Sequence, residues 1–359
     1  MPVKAATPKA ATPKPKAAKK SGASAPRKVI NLALQGGGAH GAFTWGVLDV
    51  LLEDGRVDFC GISGTSAGAM NAVSFAEGMR KGGKEGARQQ LAHFWRSASL
   101  DGGLNAIQRE VFEGVLNLWG ATPAKSWVEQ AASMFSPMQF NPLNINPLRD
   151  VLSDQIDFAA LRDSDHLKLF IAATNVESGK VRIFRRPELT IDMLMASACL
   201  PTVFKAVEID GVPYWDGGYM GNPVLFPFFT ETESPDVVLI QINPIERKGA
   251  PDTVTDIMAR MNEITFNAPL LQEFRAIDFV ARLIDAGRLD GTHYKRINMH
   301  VIEAQDELNQ LGSASKMRSD LSFFEQLFAV GRKAGQSFLD EHFDDIGVKG
   351  TLDLKEALV

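Results

Sequence analysis

Val57-Asp58-Phe59-Cys60-Gly61-Ile62-Ser63-Gly64-Thr65-Ser66-Ala67-Gly68 decides how this chain folds. Val57 to Ile62 reads as a strand, Ser63 to Gly68 as a tight turn, and Ala69 to Met79 as a buried helix of small residues. The turn holds Gly64-Thr65-Ser66-Ala67-Gly68, a G-x-S-x-G pattern. A serine on a sharp strand-to-helix turn takes strained backbone angles, and side chains two residues to either side would collide. Gly64 and Gly68 remove them. The helix that follows aims its free N–H groups at charge developing on a substrate.

The same grammar stands one unit upstream. Val29 to Leu34 is an apolar run that ends at Gly36-Gly37-Gly38-Ala39-His40-Gly41. A helix is predicted over 42–52, with Phe43, Val47, Val50 and Leu51 at helical spacing and Gly55 at its C-terminal end. Two successive βα units predict a parallel or mostly parallel sheet.

The glycine cluster also fits G-x-G-x-x-G, the dinucleotide fingerprint. That reading wants an acidic residue about twenty positions on, at the end of the second strand. Asp58 instead lies at that strand's beginning, and Ser66 occupies the turn. The other reading is an oxyanion hole, in which consecutive glycine N–H groups turn inward around an alkoxide, each worth roughly 3 to 4 kcal/mol. No cofactor is expected. Two cysteines and six histidines show no pair at ligand spacing, so no metal is expected either. Cys60 and Cys199 are expected as buried free thiols.

Further strands are predicted at Leu167–Thr174, Val181–Phe184, Val203–Ile209, Val237–Ile242 and Met299–Glu303, the first two joined as a hairpin. Residues 87–98 read as helix, and 100–147, with scattered Trp, Met and Phe, as a cap over a site. Thr253–Ala286 is predicted helical with a break at Pro269. Near the end, Met317, Leu321, Phe324, Phe328, Phe338 and His342 track one helix face, with Gly331 and Gly335 allowing close packing.

The first 28 residues are dominated by Ala, Pro, Lys and Ser, with eight basic residues and no acid, a composition that predicts a disordered tail. Without those eight, 30 basic residues face 43 acidic ones, so the body carries about −13. A basic arm on an acidic body suits peripheral contact with an anionic membrane or granule surface; nucleic acid is a less favoured partner, and a plain solubilising tail stays open. No apolar run is long enough for a signal peptide or a membrane span, so the expected location is the cytoplasm, with peripheral membrane contact.

Tyr214-Trp215-Asp216-Gly217-Gly218-Tyr219 makes the reading specific. A glycine-rich loop, G-x-S-x-G and Asp-Gly-Gly in this order resemble the patatin-like phospholipases. So do Asn141 to Leu148, Ala196-Ser197-Ala198-Cys199-Leu200-Pro201 and Asn222-Pro223. The resemblance covers about residues 29–345, leaving the tail at 1–28 and an extension at 346–359. It implies a three-layer α/β/α sandwich with a mostly parallel sheet. It assigns nucleophile to Ser66, base to Asp216, and oxyanion donors to Gly36, Gly37, Gly38 and Ala67. Where that family's loop carries Arg, this chain has His40, an imidazole mostly neutral at pH 7.

The expected activity is lipid acyl hydrolysis, a phospholipase A-like esterase working through a Ser-Asp dyad and an acyl-serine. A polyester or thioester substrate, and a non-catalytic regulatory protein on the same scaffold, stay open. Trp215 and Tyr219 are candidates for apolar walls around the aspartate. A triad would need His293, His300 or His342, each of which has a plainer structural account.

Overall fold

The computed structural model describes residues 27–99, 146–291, 293–311 and 313–358. The chain opens with β1 (Lys28–Leu34), α1 (Gly41–Asp54), β2 (Val57–Gly64) and α2 (Ala67–Ser97). Then come α3 (Pro147–Gln155), α4 (Phe158–Asp163), β3 (Lys168–Asn175), β4 (Val181–Arg185), α5 (Ile191–Ser197), β5 (Val207–Ile209) and β6 (Val212–Asp216). The last part holds α6 (Pro227–Glu231), β7 (Asp236–Ile240), α7 (Val254–Asp285), β8 (Asn298–Ile302), α8 (Gln305–Asn309) and α9 (Leu321–His342).

The strands form one sheet in the order β5-β6-β3-β2-β1-β7-β8, with β4 also on β3. The contacts β3-β2, β2-β1, β1-β7 and β7-β8 are parallel, and β4, β5 and β6 pair antiparallel. Alternate residues feed two cores. Ile30, Leu32 and Leu34 of β1, Leu169 and Ile171 of β3, and Val238 and Ile240 of β7 meet Phe43, Val47, Phe75 and Phe324 of α1, α2 and α9. On the other face Ala33, Phe170, Ala172, Val237 and Leu239 meet Phe228, Leu270, Phe274 and Ile277 of α6 and α7. Burial on both faces makes these strands continuously apolar, as a parallel sheet requires. The result is the expected α/β/α layering with a mostly parallel sheet.

β3 carries a feature that positions the site. Phe170 and Ile171 pair with β4 and, in parallel, Ser63 and Gly64 of β2; Ala173 and Thr174 pair with β4 and, antiparallel, Asp216 and Trp215 of β6. β4 therefore holds one edge of β3, while β2 and β6 lie end to end along the other. The end of β6 meets the end of β2, since Gly64 opposes Ile171 and Asp216 opposes Ala173.

Several local expectations change. The two helices predicted at 69–79 and 87–98 are both present, lengthened toward each other and parted within α2 at Gly82 and Gly83, whose backbone angles are not helical. α7 continues through Pro269, because Leu270, Phe274 and Ile277 beyond it are buried against the sheet and hold the helix on course. Of Val203–Ile209 only Val207–Ile209 is strand; Pro201 to Phe204 form turns. Lys28, placed in the tail, opens β1; residues 1–26 and the cap expected at 100–147, up to 145, lie outside the described residues. The segment 346–358 packs on the body, with Ile346 buried and Thr351 and Leu352 N–H groups donating to Met299 C=O. Among the described residues no helix is long and apolar enough to cross a membrane.

Candidate active site

β1, β2 and β7 end at one edge of the sheet, and the loops leaving them meet there. Ser66 follows β2 at φ 54° and ψ −122°, one of two non-glycine residues with positive φ among those described. Such angles are costly for a residue with a β-carbon and persist only when the surroundings impose them. The surroundings here are backbone. A β-carbon on Gly64 would lie 2.5 Å from Gly68 O, and one on Gly68 would overlap Leu34 O. Gly36 lies directly against the serine, 2.7 Å from Ser66 Cβ if it carried a β-carbon. The elbow is thus wedged between its own helix and the end of β1.

Two further groups hold it. Ser66 N–H donates to Ser197 Oγ at 3.0 Å, and Thr65 Oγ1 donates to Gly221 C=O at 2.7 Å. Ser197 ends α5 and is fully buried. In a buried elbow this hydroxyl gives the serine N–H the acceptor it needs.

Asp216 ends β6. Its N–H donates to Cys199 C=O at 2.7 Å, its C=O accepts from Thr174 Oγ1 at 2.8 Å, and its Oδ1 accepts from Gly218 N–H at 2.7 Å. The two glycines that follow are required by packing, since β-carbons there would strike Ala172 O and the Phe266 ring. The carboxyl is fully buried and Oδ2 has no hydrogen-bond partner among the described residues. Burial pushes its pKa from 3.8 up to about 7, against the pull of Gly218 N–H and the nearby Ser66 hydroxyl. Cys199 and Tyr219 report the same enclosure: burial and then the Asp216 charge push each to about 12. Tyr219 packs edge-on against Phe266, ring centroids 5.0 Å apart. Trp215, adjacent to Asp216 on a strand, points to the other face and does not wall the carboxyl.

The glycine loop divides its work. Gly36 N–H donates to Asn222 Oδ1 at 2.6 Å, and Gly36 C=O accepts from Asn243 Nδ2 at 2.7 Å and Asn222 Nδ2 at 3.3 Å. Gly36 is therefore an anchor, its donor already committed. The N–H groups of Gly37, Gly38 and Ala67 make no hydrogen bond among the described residues. Gln35 fixes the loop from below, its Oε1 accepting from the N–H groups of Ile242 and Asn243, both at 2.9 Å. His40 is buried and 2.7 Å from Ser315 Oγ through Nε2; burial, then Lys316, lowers its pKa to about 3, so it is neutral.

The three later histidines are engaged elsewhere. His300 is buried between Asp236 and Thr351, each 3.1 Å away; His293 bonds Asp290, and His342 bonds Asp345. Both cysteines are free thiols. No group of three or more His, Cys, Asp or Glu side chains among the described residues could hold a metal ion. Reading the sequence missed Asn243, Ser315 and Lys316, and saw Ser197 and Asn222 only as family marks. An asparagine or lysine at ordinary spacing carries no local signal of a distant loop.

The fold and the elbow define the class, an α/β scaffold with a serine turn at the C-terminal edge of a parallel sheet. The sequence profile of the patatin-like phospholipases matches residues 32–229, and the chain belongs to that family of lipid hydrolases. Among solved structures it is similar to VipD from Legionella pneumophila, at 15% identity and TM-score 0.36, over 85% of this chain and 67% of that one. It is also similar to a chain of the complex of full-length SpcU with full-length ExoU from the type III secretion system of Pseudomonas aeruginosa. There the identity is 13% and the TM-score 0.30, over 87% of this chain and 53% of that one, so this chain spans about half its length. No curated protein matches the sequence.

Proposed function

We propose that the protein is a serine lipid acyl hydrolase, a phospholipase A-like esterase that uses Ser66 and Asp216 as a dyad. One juxtaposition carries the reading: a serine forced into an elbow, beside backbone N–H groups of Gly37, Gly38 and Ala67 and a buried Asp216 carboxyl oxygen that make no hydrogen bond among the described residues. In the first step Ser66 Oγ attacks the ester carbonyl carbon while its proton passes to Asp216. The three N–H groups hold the resulting oxyanion. Collapse expels the alcohol, which takes the proton from Asp216. Water, deprotonated by Asp216, then releases the acyl chain and restores the serine. A carboxylate with an ordinary pKa is a weak base for a serine hydroxyl. One raised to about 7 by burial is better matched to the task.

A fluorophosphonate probe tests the nucleophile: labelling of the wild type, and none of Ser66→Ala or Asp216→Asn at pH 8, is the expected result. His293→Ala and His342→Ala should retain most activity. A loss of several hundredfold in either, with folding intact, would falsify the dyad. His300→Ala reads out as stability, because His300 is enclosed with Asp236. Chromogenic esters of increasing chain length test the substrate, with long acyl chains preferred; preference for acetyl counts against a lipid. The basic tail is proposed to touch an anionic membrane or granule surface, and tail-deleted protein should sediment less with anionic vesicles.

A further inference from the structure

Lys316 is largely buried, its side chain 19% exposed, in the 3-10 turn Ser313–Met317. Its backbone C=O lies against Gly38 so closely that a β-carbon there would overlap it. Its Nζ donates to Asn243 Oδ1 at 2.8 Å, and Asn243 Nδ2 passes the restraint on to Gly36 C=O at 2.7 Å. Asn243 Oδ1 stands 3.4 Å from the place a β-carbon of Gly37 would take. The neighbouring Ser315 ties down His40. One short turn far along the sequence thus grips the glycine loop at both ends.

The charge count around this lysine is unbalanced. Glu263 is the carboxylate it faces, at 3.7 Å, yet Glu263 is already held by Arg247 at 2.7 and 2.8 Å and touched by Arg260 at 3.3 Å. Among the described residues no other carboxylate is ion-paired to these three cations. Three positive charges against one negative charge leave a surplus behind Gly36–Gly38. Burying an ammonium that has to share its counter-ion is unfavourable unless another negative charge appears. During ester cleavage one does, on the oxygen that Gly37, Gly38 and Ala67 would hold. His40, neutral and turned to Ser315, cannot answer it.

We propose that Lys316 is a positioning residue for the oxyanion loop: it fixes the loop through Asn243 and supplies the standing positive charge that the loop itself lacks. The proposal rests on the dyad reading above. It acts through the loop rather than by touching substrate, so its effect falls on kcat more than on KM. Lys316 faces Glu263 of α7, a carboxylate that Arg260 also touches, Arg247 of the loop after β7, and His40 of the glycine loop; on its own segment Arg318 pairs with Asp320. Burial, then Arg247, lowers its pKa from 10.5 against the pull of Glu263. The charge is therefore lost as pH rises, earlier than for an exposed lysine.

Wild type, Ser66→Ala, Lys316→Met and Lys316→Arg are compared on a soluble chromogenic ester across pH, with unfolding curves for each. Fluorophosphonate labelling of the wild type that Ser66→Ala abolishes establishes the nucleophile; absent labelling of the wild type overturns both readings. Lys316→Met is expected to lower kcat about 10- to 100-fold with KM within about threefold. Lys316→Arg is expected within about threefold of the wild type, with the alkaline fall in activity moved to higher pH. Cys199 and Tyr219, both pushed to about 12, do not titrate in that range. A Lys316→Met enzyme with wild-type kcat, or an arginine variant whose alkaline limb does not move, overturns the proposal. If the methionine variant does not fold, the alkaline limb decides alone.

Discussion

As the proposed base, Asp216 would act only while charged, and its burial sets the pH at which that happens. With a pKa near 7, kcat/KM should rise with pH through that value and stay level above it until the alkaline fall ascribed to Lys316, in a profile measured on a soluble ester. The same shift bears on stability with the opposite sense. From about 4 to about 7 the unfolded chain has released a proton that the folded chain still holds, so stability falls as pH rises through that window and stays lowered above it. Asp216→Asn should therefore be more stable than the wild type at pH 8, by up to a few kcal/mol, and similar to it at pH 4, while losing activity. Denaturant curves at both pH values check this. Ser197→Ala leaves Ser66 N–H buried without its acceptor and should cost about 1 to 3 kcal/mol of stability together with a drop in kcat. Ser66, flanked by Gly64 and Gly68, and Asp216, followed by Gly217 and Gly218, were legible because packing demands those glycines. Gly36 shows where such reading stops: its N–H looked like a donor to substrate, but Asn222, 186 residues away, already takes it.

At the scale of elements, α1 and α9 cross where glycines remove the side chains between them. A β-carbon on Gly331 would overlap Phe43 O, and one on Gly46 would overlap Phe328 O. Gly331→Ala should cost at least about 2 kcal/mol, read from denaturant midpoints, with activity per folded molecule little changed because the contact lies away from Ser66. The spacing of Gly331 and Gly335 on an apolar face made this packing readable in advance. The course of α7 through Pro269 was not, because a proline's local preference is outweighed by buried residues that contact the sheet. Nor could the sequence reveal that β6 continues the line of β2 along β3. That depends on two separate pairings of β3, Ile171 with Gly64 of β2, 107 positions before it, and Ala173 with Asp216 of β6, 43 positions after it.

The whole molecule extends past the residues that carry its family marks. Ile346 is buried, and Leu352, Leu354, Ala357 and Leu358 cover the core beneath α7, while Gly347 N–H donates to Asp236 Oδ1 at 2.9 Å. Removing residues 346–359 should lower the unfolding midpoint and open the enclosure of Asp236 and His300, seen as faster amide exchange in β7 and β8. β7 has a consequence of another kind. It flanks β1, the strand that leads into the glycine loop, yet it lies beyond residue 229, where the family match ends. A fragment cut there would leave β1 with a bare row of peptide groups on a flat apolar strand. Such an edge recruits other chains, so the shortened protein should precipitate or form β-rich aggregates instead of working as a smaller enzyme.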